Sequence, residues 1–196
     1  QPAGLGVVEA VISENYIFSN ESVDGGGLYL FDFAGQITQN AIFDNEADDD
    51  DPSSNAGRGG GIYMFDSSTD REFSSNVFIG NNLFNGNFSE RGAAMFTSNT
   101  VPTVENNTMV DNVANDVESP STLRVFLGTY RNNIIVSGTG FGLDIGSAGQ
   151  APYGSPGALT FEHNDLFGFT DGRLTGESED IFVFAIHQAE GVRCLI

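Results

Sequence analysis

From Ile37 to Asn45 the chain reads ITQNAIFDN: an apolar residue, two polar ones, Asn, a variable position, two apolar residues, a variable position and Asn. That order returns along the whole length. An earlier copy runs Ile12, Asn15, Ile17, Phe18, Asn20, and later copies run Phe73, Asn76, Phe78, Ile79, Asn81 and Val104, Asn107, Met109, Val110, Asn112. Two looser copies run Tyr130, Asn133, Ile135, Val136, Gly138 and Phe161, Asn164, Leu166, Phe167, Phe169. The first Asn of each copy stands at 15, 40, 76, 107, 133 and 164, so the intervals are 25, 36, 31, 26 and 31 residues. Repeats of this length predict stacked structural units. Within a copy the spacing is neither helical nor a long alternation, so each predicts a short strand, a bend at the Asn and a second short strand.

A second element lies between these rungs: GGGLYLF at 25–31, GGGIYMF at 59–65, RGAAMF at 91–96, TLRVF at 122–126 and GFGLDI at 140–145. Most of these strands are entered through glycine. Alternation sends Leu28, Leu30, Ile62, Met64, Ala93 and Met95 to one face, and Tyr29, Phe31, Tyr63, Phe65, Ala94 and Phe96 to the other. Three short strands per turn, with loops of variable length, predict a coil that stacks on its neighbour by parallel pairing, roughly 4.8 Å per coil.

The runs GGGLYLF and GGGIYMF followed by ITQNAIFDN, with the later NNTMVDN and NNIIVSG, resemble the right-handed parallel β-helix repeats of bacterial secreted and surface proteins of the pectin-lyase-like fold. The likeness covers roughly residues 4–172. It implies an all-β solenoid of about six coils with an internal Asn ladder, followed at 173–196 by a strand or cap and a tail. In that last segment only Ile181, Val183 and Ala185 alternate. It also implies a secreted or cell-surface setting. Activity does not follow, because such repeats serve lyases, hydrolases and adhesins alike. The hydrolases of the fold carry clustered Asp pairs with Gly-His-Gly and Arg-x-Lys, and neither motif occurs here. The lyases use Arg or Lys as base beside calcium carboxylates, a role for which Arg124 in TLRVF is the candidate on a predicted strand.

Composition narrows the partners. The formal net charge is -20, and all seven basic residues are Arg. Such a surface repels nucleic acid and anionic membranes. No long apolar run predicts membrane insertion. Cys194 is the single cysteine, which excludes an intrachain disulfide. GLGVV at 4–8 already resembles a glycine-led strand, so the expectation is a chain that joins a helix in progress, with any leader removed. Open coil ends of such a helix offer a route to self-association.

Four groups could carry chemistry. The stacked asparagines read as structural, since a buried Asn at a bend can satisfy backbone groups from coil to coil. Phe31, Phe65, Phe96 and Phe126 are expected in one column with Tyr29 beside Tyr63, a strip suited to stacking on sugar rings. Asp32 and Asp66 each follow a column Phe, so adjacent coils should bring them roughly 5 Å apart, the separation of a retaining glycosidase pair. Asp48, Asp49, Asp50 and Asp51 form an acidic loop whose hard oxygens suit calcium, although no motif requires a cofactor. His163 and His187 fit neither HExxH spacing nor a nucleophile pair. The expectation is therefore an extracellular module that binds polysaccharide or a cell-surface glycan through Tyr29, Phe31, Tyr63, Phe65 and Arg124. The alternatives are a glycoside hydrolase built on Asp32 and Asp66, a lyase using Arg124 with calcium, and a stalk fragment.

Overall fold

The structure is a computed structural model that describes residues 9–49, 57–67, 76–115, 120–146, 159–169, 174–175 and 181–184. Every named element among them is a strand, and every strand pairing is parallel. The chain winds as a right-handed parallel β-helix of six coils whose strands stack into three sheets.

The first sheet takes Ala10–Ser13, Gly35–Thr38, Val77–Gly80, Thr103–Glu105, Gly128–Arg131, Leu159–Glu162 and Ile181–Phe184 in chain order. The second takes Tyr16–Phe18, Ala41–Phe43, Leu83–Asn85, Thr108–Ala114, Ile134–Thr139 and Asp165–Phe169. Three two-residue strands widen this sheet: Glu21–Ser22 pairs with Glu46–Ala47, that with Phe88–Ser89, and Phe88–Ser89 with the far end of Thr108–Ala114. The third sheet holds Leu28–Phe31, Ile62–Phe65, Met95–Ser98, Ser121–Val125, Phe141–Ile145 and Leu174–Thr175. Pairing thus continues beyond residue 173, with Leu174 opposite Leu143 and Ile181 opposite Leu159.

Alternation decides what goes inside. Ile37, Ile79, Val104, Tyr130 and Phe161 line the interior of the first sheet, Ile42, Phe84, Met109 and Ile135 that of the second, and Ile62, Met95, Leu123 and Leu143 that of the third. Each column repeats one inward position per coil, so like side chains stack and the core is continuous along the axis.

The corner between the first two sheets carries the Asn ladder. Backbone N–H and Nδ2 of Asn15 both donate to Oδ1 of Asn40, and the same pair of bonds links Asn40 to Asn82, Asn82 to Asn107, Asn107 to Asn133 and Asn133 to Asn164. Each Nδ2 from Asn40 onward also reaches a backbone carbonyl, as Asn40 does to Ile12 and Thr38. A second ladder five residues on joins Asn20, Asn45, Asn87 and Asn112. The bend itself is made one residue earlier than the ladder. Glu14, Gln39, Asn81, Asn106, Asn132 and His163 all have left-handed backbone, with φ between 53° and 58°. That conformation is uncommon outside glycine, and here it directs a polar side chain to solvent while the next Asn turns inward.

Two expectations need correction. The third ladder Asn is Asn82 rather than Asn76, so the intervals are 25, 42, 25, 26 and 31 residues. FSSNVFIGN and IGNNLFNGN both fit the repeat and overlap at Ile79–Asn81, and the pairing of Ile37 with Ile79 selects the second. That register brings Phe84 inside at 0% exposure and joins both Asn82 and Asn87 to ladders. Phe78, which takes the place of the inward Ile42 if FSSNVFIGN is the rung, points outward instead, and a Cβ added at Gly80 would lie 2.5 Å from its ring. Asn76 is an exposed residue just ahead of Val77–Gly80.

The second correction concerns the aromatic column. Met95 pairs with Ile62 and Phe96 with Tyr63, so Phe96 does not continue the row Phe31, Phe65. Left-handed Gly25, Gly59 and Gly92, at φ 65°, 69° and 64°, set this register. A Cβ at Gly59 would meet the Ile62 carbonyl at 2.3 Å, so the turn admits only glycine. Aligning the strands by their terminal Phe displaces Phe96 by two residues.

Candidate functional site

The outer face of the third sheet carries most of the expected site, and it changes character along the axis. Tyr29 and Phe31 in coil one are 53% and 52% exposed. Tyr63, one coil on, is 5% exposed and gathers with Phe96, Phe126 and Leu127 into a second apolar cluster, against which Phe65 and Val101 pack. The rings form a chain of contacts: Tyr29 to Tyr63 at 5.2 Å, Tyr63 to Phe96 at 5.5 Å edge-on, Phe96 to Phe126 at 6.2 Å, and separately Phe31 to Phe65 at 5.7 Å. These separations are those of attractive aromatic pairs.

Two arginines are built into this face. Arg58 lies 4.8 Å over the Tyr63 ring while its fork grips Asp24, Nε to Oδ1 at 2.9 Å and a terminal nitrogen to Oδ2 at 2.6 Å. Burial pushes the Tyr63 phenol up to about 12, with the Arg58 charge opposing. Arg124 stands opposite Phe96 on the preceding coil and Asp144 on the next. Its guanidinium is ion-paired with the Asp144 carboxylate and lies 5.6 and 5.8 Å from the Phe96 and Phe126 rings. With side chains 13% and 4% exposed, the pair is largely enclosed.

Asp32 and Asp66 follow Phe31 and Phe65, which are register partners, and so occupy adjacent coils as expected. Their surroundings differ. The Asp32 carboxylate accepts from the Ser67 backbone N–H and hydroxyl, each at 2.6 Å. Asp66 is 0% exposed, and its backbone carbonyl accepts from Asn99 Nδ2 at 2.5 Å. Of the acidic loop, Asp48 and Asp49 are half-buried at the end of the second sheet, while Asp50 and Asp51 lie outside the described residues. Among the described residues no three His, Cys, Asp or Glu side chains converge on a point where a metal could sit. His163 is exposed at the bend ahead of Asn164, and His187 and Cys194 lie outside the described residues.

Sequence reasoning passed over the outer face of the second sheet. Tyr16, Phe18, Leu83, Ile134 and Phe167 are all exposed there, and the Phe18 and Phe43 rings stack 5.0 Å apart and nearly parallel, at 4°. The signal was present, because these residues flank the inward Ile17, Ile42, Phe84, Ile135 and Leu166 and alternation sends them out. Along the adjoining corner, Glu14, Asn15, Tyr16, Gln39, Asn40, Ala41, Asn81 and Leu83 line an open cleft of about 560 Å³.

Sheet topology, stacked core and ladders define the chain as a parallel β-helix. No protein-family model matches it, nor does any curated protein or solved structure.

Proposed function

We propose that this chain is a polysaccharide-binding β-helix module of the pectin-lyase-like kind, working at the cell surface or in the secreted space, without catalysis of its own. The observation that carries the reading is the open aromatic end of the third sheet, where Tyr29 and Phe31 remain half exposed on rings fixed from behind by Tyr63 and Phe65. Rigid, half-open aromatic rings lose little conformational freedom on binding and suit the apolar faces of sugars. Binding is favoured over turnover by the state of the acidic pair. A glycosidase needs two carboxylates that both reach the substrate, whereas Asp66 is enclosed and Asp32 is engaged by Ser67.

The test is a panel of plant and algal polysaccharides, with binding and reducing-end release measured in parallel. At least one polysaccharide should bind without release, and Tyr29→Ala should weaken binding by about fivefold or more. Asp32→Asn should keep most of the affinity. Release that falls by orders of magnitude in the Asp66→Asn variant would replace the binding reading with a glycosidase, and neither binding nor release would leave a structural spacer.

A further inference from the structure

The cleft at the corner of the first and second sheets is concave, amphipathic and in register with the helix. One wall is a line of outward polar side chains at the left-handed bends, Glu14, Gln39 and Asn81, continued in later coils by Asn106 and Asn132. The other is the outward column of the second sheet, Tyr16, Ala41 and Leu83, which are direct register partners. Tyr16 is 78% exposed and Leu83 also stands clear, so small Ala41 leaves a notch between two strands that lie two coil spacings, about 9–10 Å, apart. The same column runs on through Thr108 to exposed Ile134.

We infer that this cleft is a second glycan site, which takes a ring of a neutral polysaccharide chain lying along the helix axis. The inference rests on the glycan-binding reading above but places binding on a different face. Tyr16 and Leu83 would lie under the apolar faces of rings along that chain, while the carboxylate and amides of Glu14, Gln39 and Asn81 would bond its hydroxyls. A pocket of this volume, mostly apolar on one side with a few convergent polar groups, is what small rings occupy. Three considerations select the occupant. The column from Tyr16 to Ile134 spans four coil spacings, about 19 Å, and is only one or two side chains wide. Such a strip falls well short of the roughly 800 Å² that each partner of a stable protein interface buries, so a narrow linear ligand suits it better than a second copy. The net charge of -20 disfavours uronate chains, which leaves neutral ones.

The experiment uses the full chain and two probes of equal length, a neutral β-glucan hexasaccharide and a hexagalacturonate, titrated at low and moderate salt. Three variants are compared: Tyr29→Ala/Phe31→Ala to disable the third-sheet face, Ala41→Trp to fill the notch, and Tyr16→Ala to remove a wall. Ala41 and Tyr16 both point outward, and thermal melts of each variant confirm that the fold is kept. The neutral probe should bind the Tyr29→Ala/Phe31→Ala variant, and Ala41→Trp or Tyr16→Ala should weaken that binding tenfold or more. It should also be preferred over the uronate probe by at least tenfold at low salt, a margin that narrows as salt screens the charge. Binding that disappears in the Tyr29→Ala/Phe31→Ala variant and ignores Ala41→Trp would overturn the second site while leaving the glycan reading intact. Equal or tighter binding of the uronate would overturn the neutral class of ligand. If no member of the wider polysaccharide panel binds wild-type protein, both readings are overturned together.

Discussion

The ladder corner and the outer face of the third sheet are made from the same repeat, yet they obey different rules. At the corner, six coils place Asn at one position and a left-handed residue just before it, with hydrogen-bond lengths that hardly vary from 2.8 to 3.0 Å between the side chains. On the third sheet the outward position reads Tyr29, Tyr63, Phe96, Arg124 and Asp144 in successive coils, and it passes from open to enclosed. Buried backbone groups at every bend present the same unmet hydrogen bonds, so one solution is repeated. An outward side chain answers only to its neighbours and is free to differ. Architecture resides in the repeated positions, and individuality in those that break the repeat.

That contrast can be broken most severely in the core. Phe84→Ala should destabilise by about 3–5 kcal/mol, whereas Phe78→Ala, on the outside of its strand, should cost about 1 kcal/mol or less. Urea unfolding of the two variants decides between the two registers of coil three, since the opposite order would restore Phe78 to the interior. The ladder comes next. Asn107→Ala strands donors on Asn82 and the acceptor of Ile79, and with about 1–3 kcal/mol for each buried group left unsatisfied the total should reach at least about 3 kcal/mol. Asn76→Ala, at an exposed position outside the ladder, should cost less than Asn107→Ala.

The third-sheet face is sharpened by pH. Burial raises the Tyr63 phenol from its ordinary value near 10 to about 12, so the folded state favours the neutral ring. Its contribution to stability is therefore whole below about pH 10 and is lost as pH climbs through about 12. Unfolding midpoints measured from pH 9 to 12 should fall across that window and fall less in the Tyr63→Phe variant. Part of the slope should survive there, because burial raises Tyr130 as well, with its hydrogen bond to Thr97 opposing. An identical slope in both proteins would mean that the Tyr63 hydroxyl is open to solvent.

The β-helix was legible because ITQNAIFDN returns with its apolar positions intact, and a repeat of that kind has one way to bury its faces. Coil three was misread because FSSNVFIGN satisfies the local pattern as well as IGNNLFNGN does. What separates them is non-local: 25 residues from Asn82 to Asn107 and from Asn87 to Asn112, and a glycine, Gly86, at the left-handed place that Asp44 fills in coil two. The aromatic face was half legible. Alternation gives the direction of Tyr29 and Tyr63 alike, but Tyr63 is covered by Phe96 from the next coil and by Arg58 from its own turn, contacts that strand periodicity does not encode. The enclosure of Asp66 and the pairing of Arg124 with Asp144 were likewise invisible, since each depends on which coil lies next to which.

Every bond between ladder side chains runs in one sense: Nδ2 of each coil donates to Oδ1 of the following coil, and never the reverse. Six carboxamides in series, joined by five such bonds and each polarised by its neighbour, make a cooperative chain in which every link is strengthened by about 10–30%. Their dipoles point the same way along the axis, as peptide dipoles do in an α-helix. The solenoid therefore has an electrical direction that owes nothing to its 27 carboxylates, and its two ends differ in kind even where their outlines match.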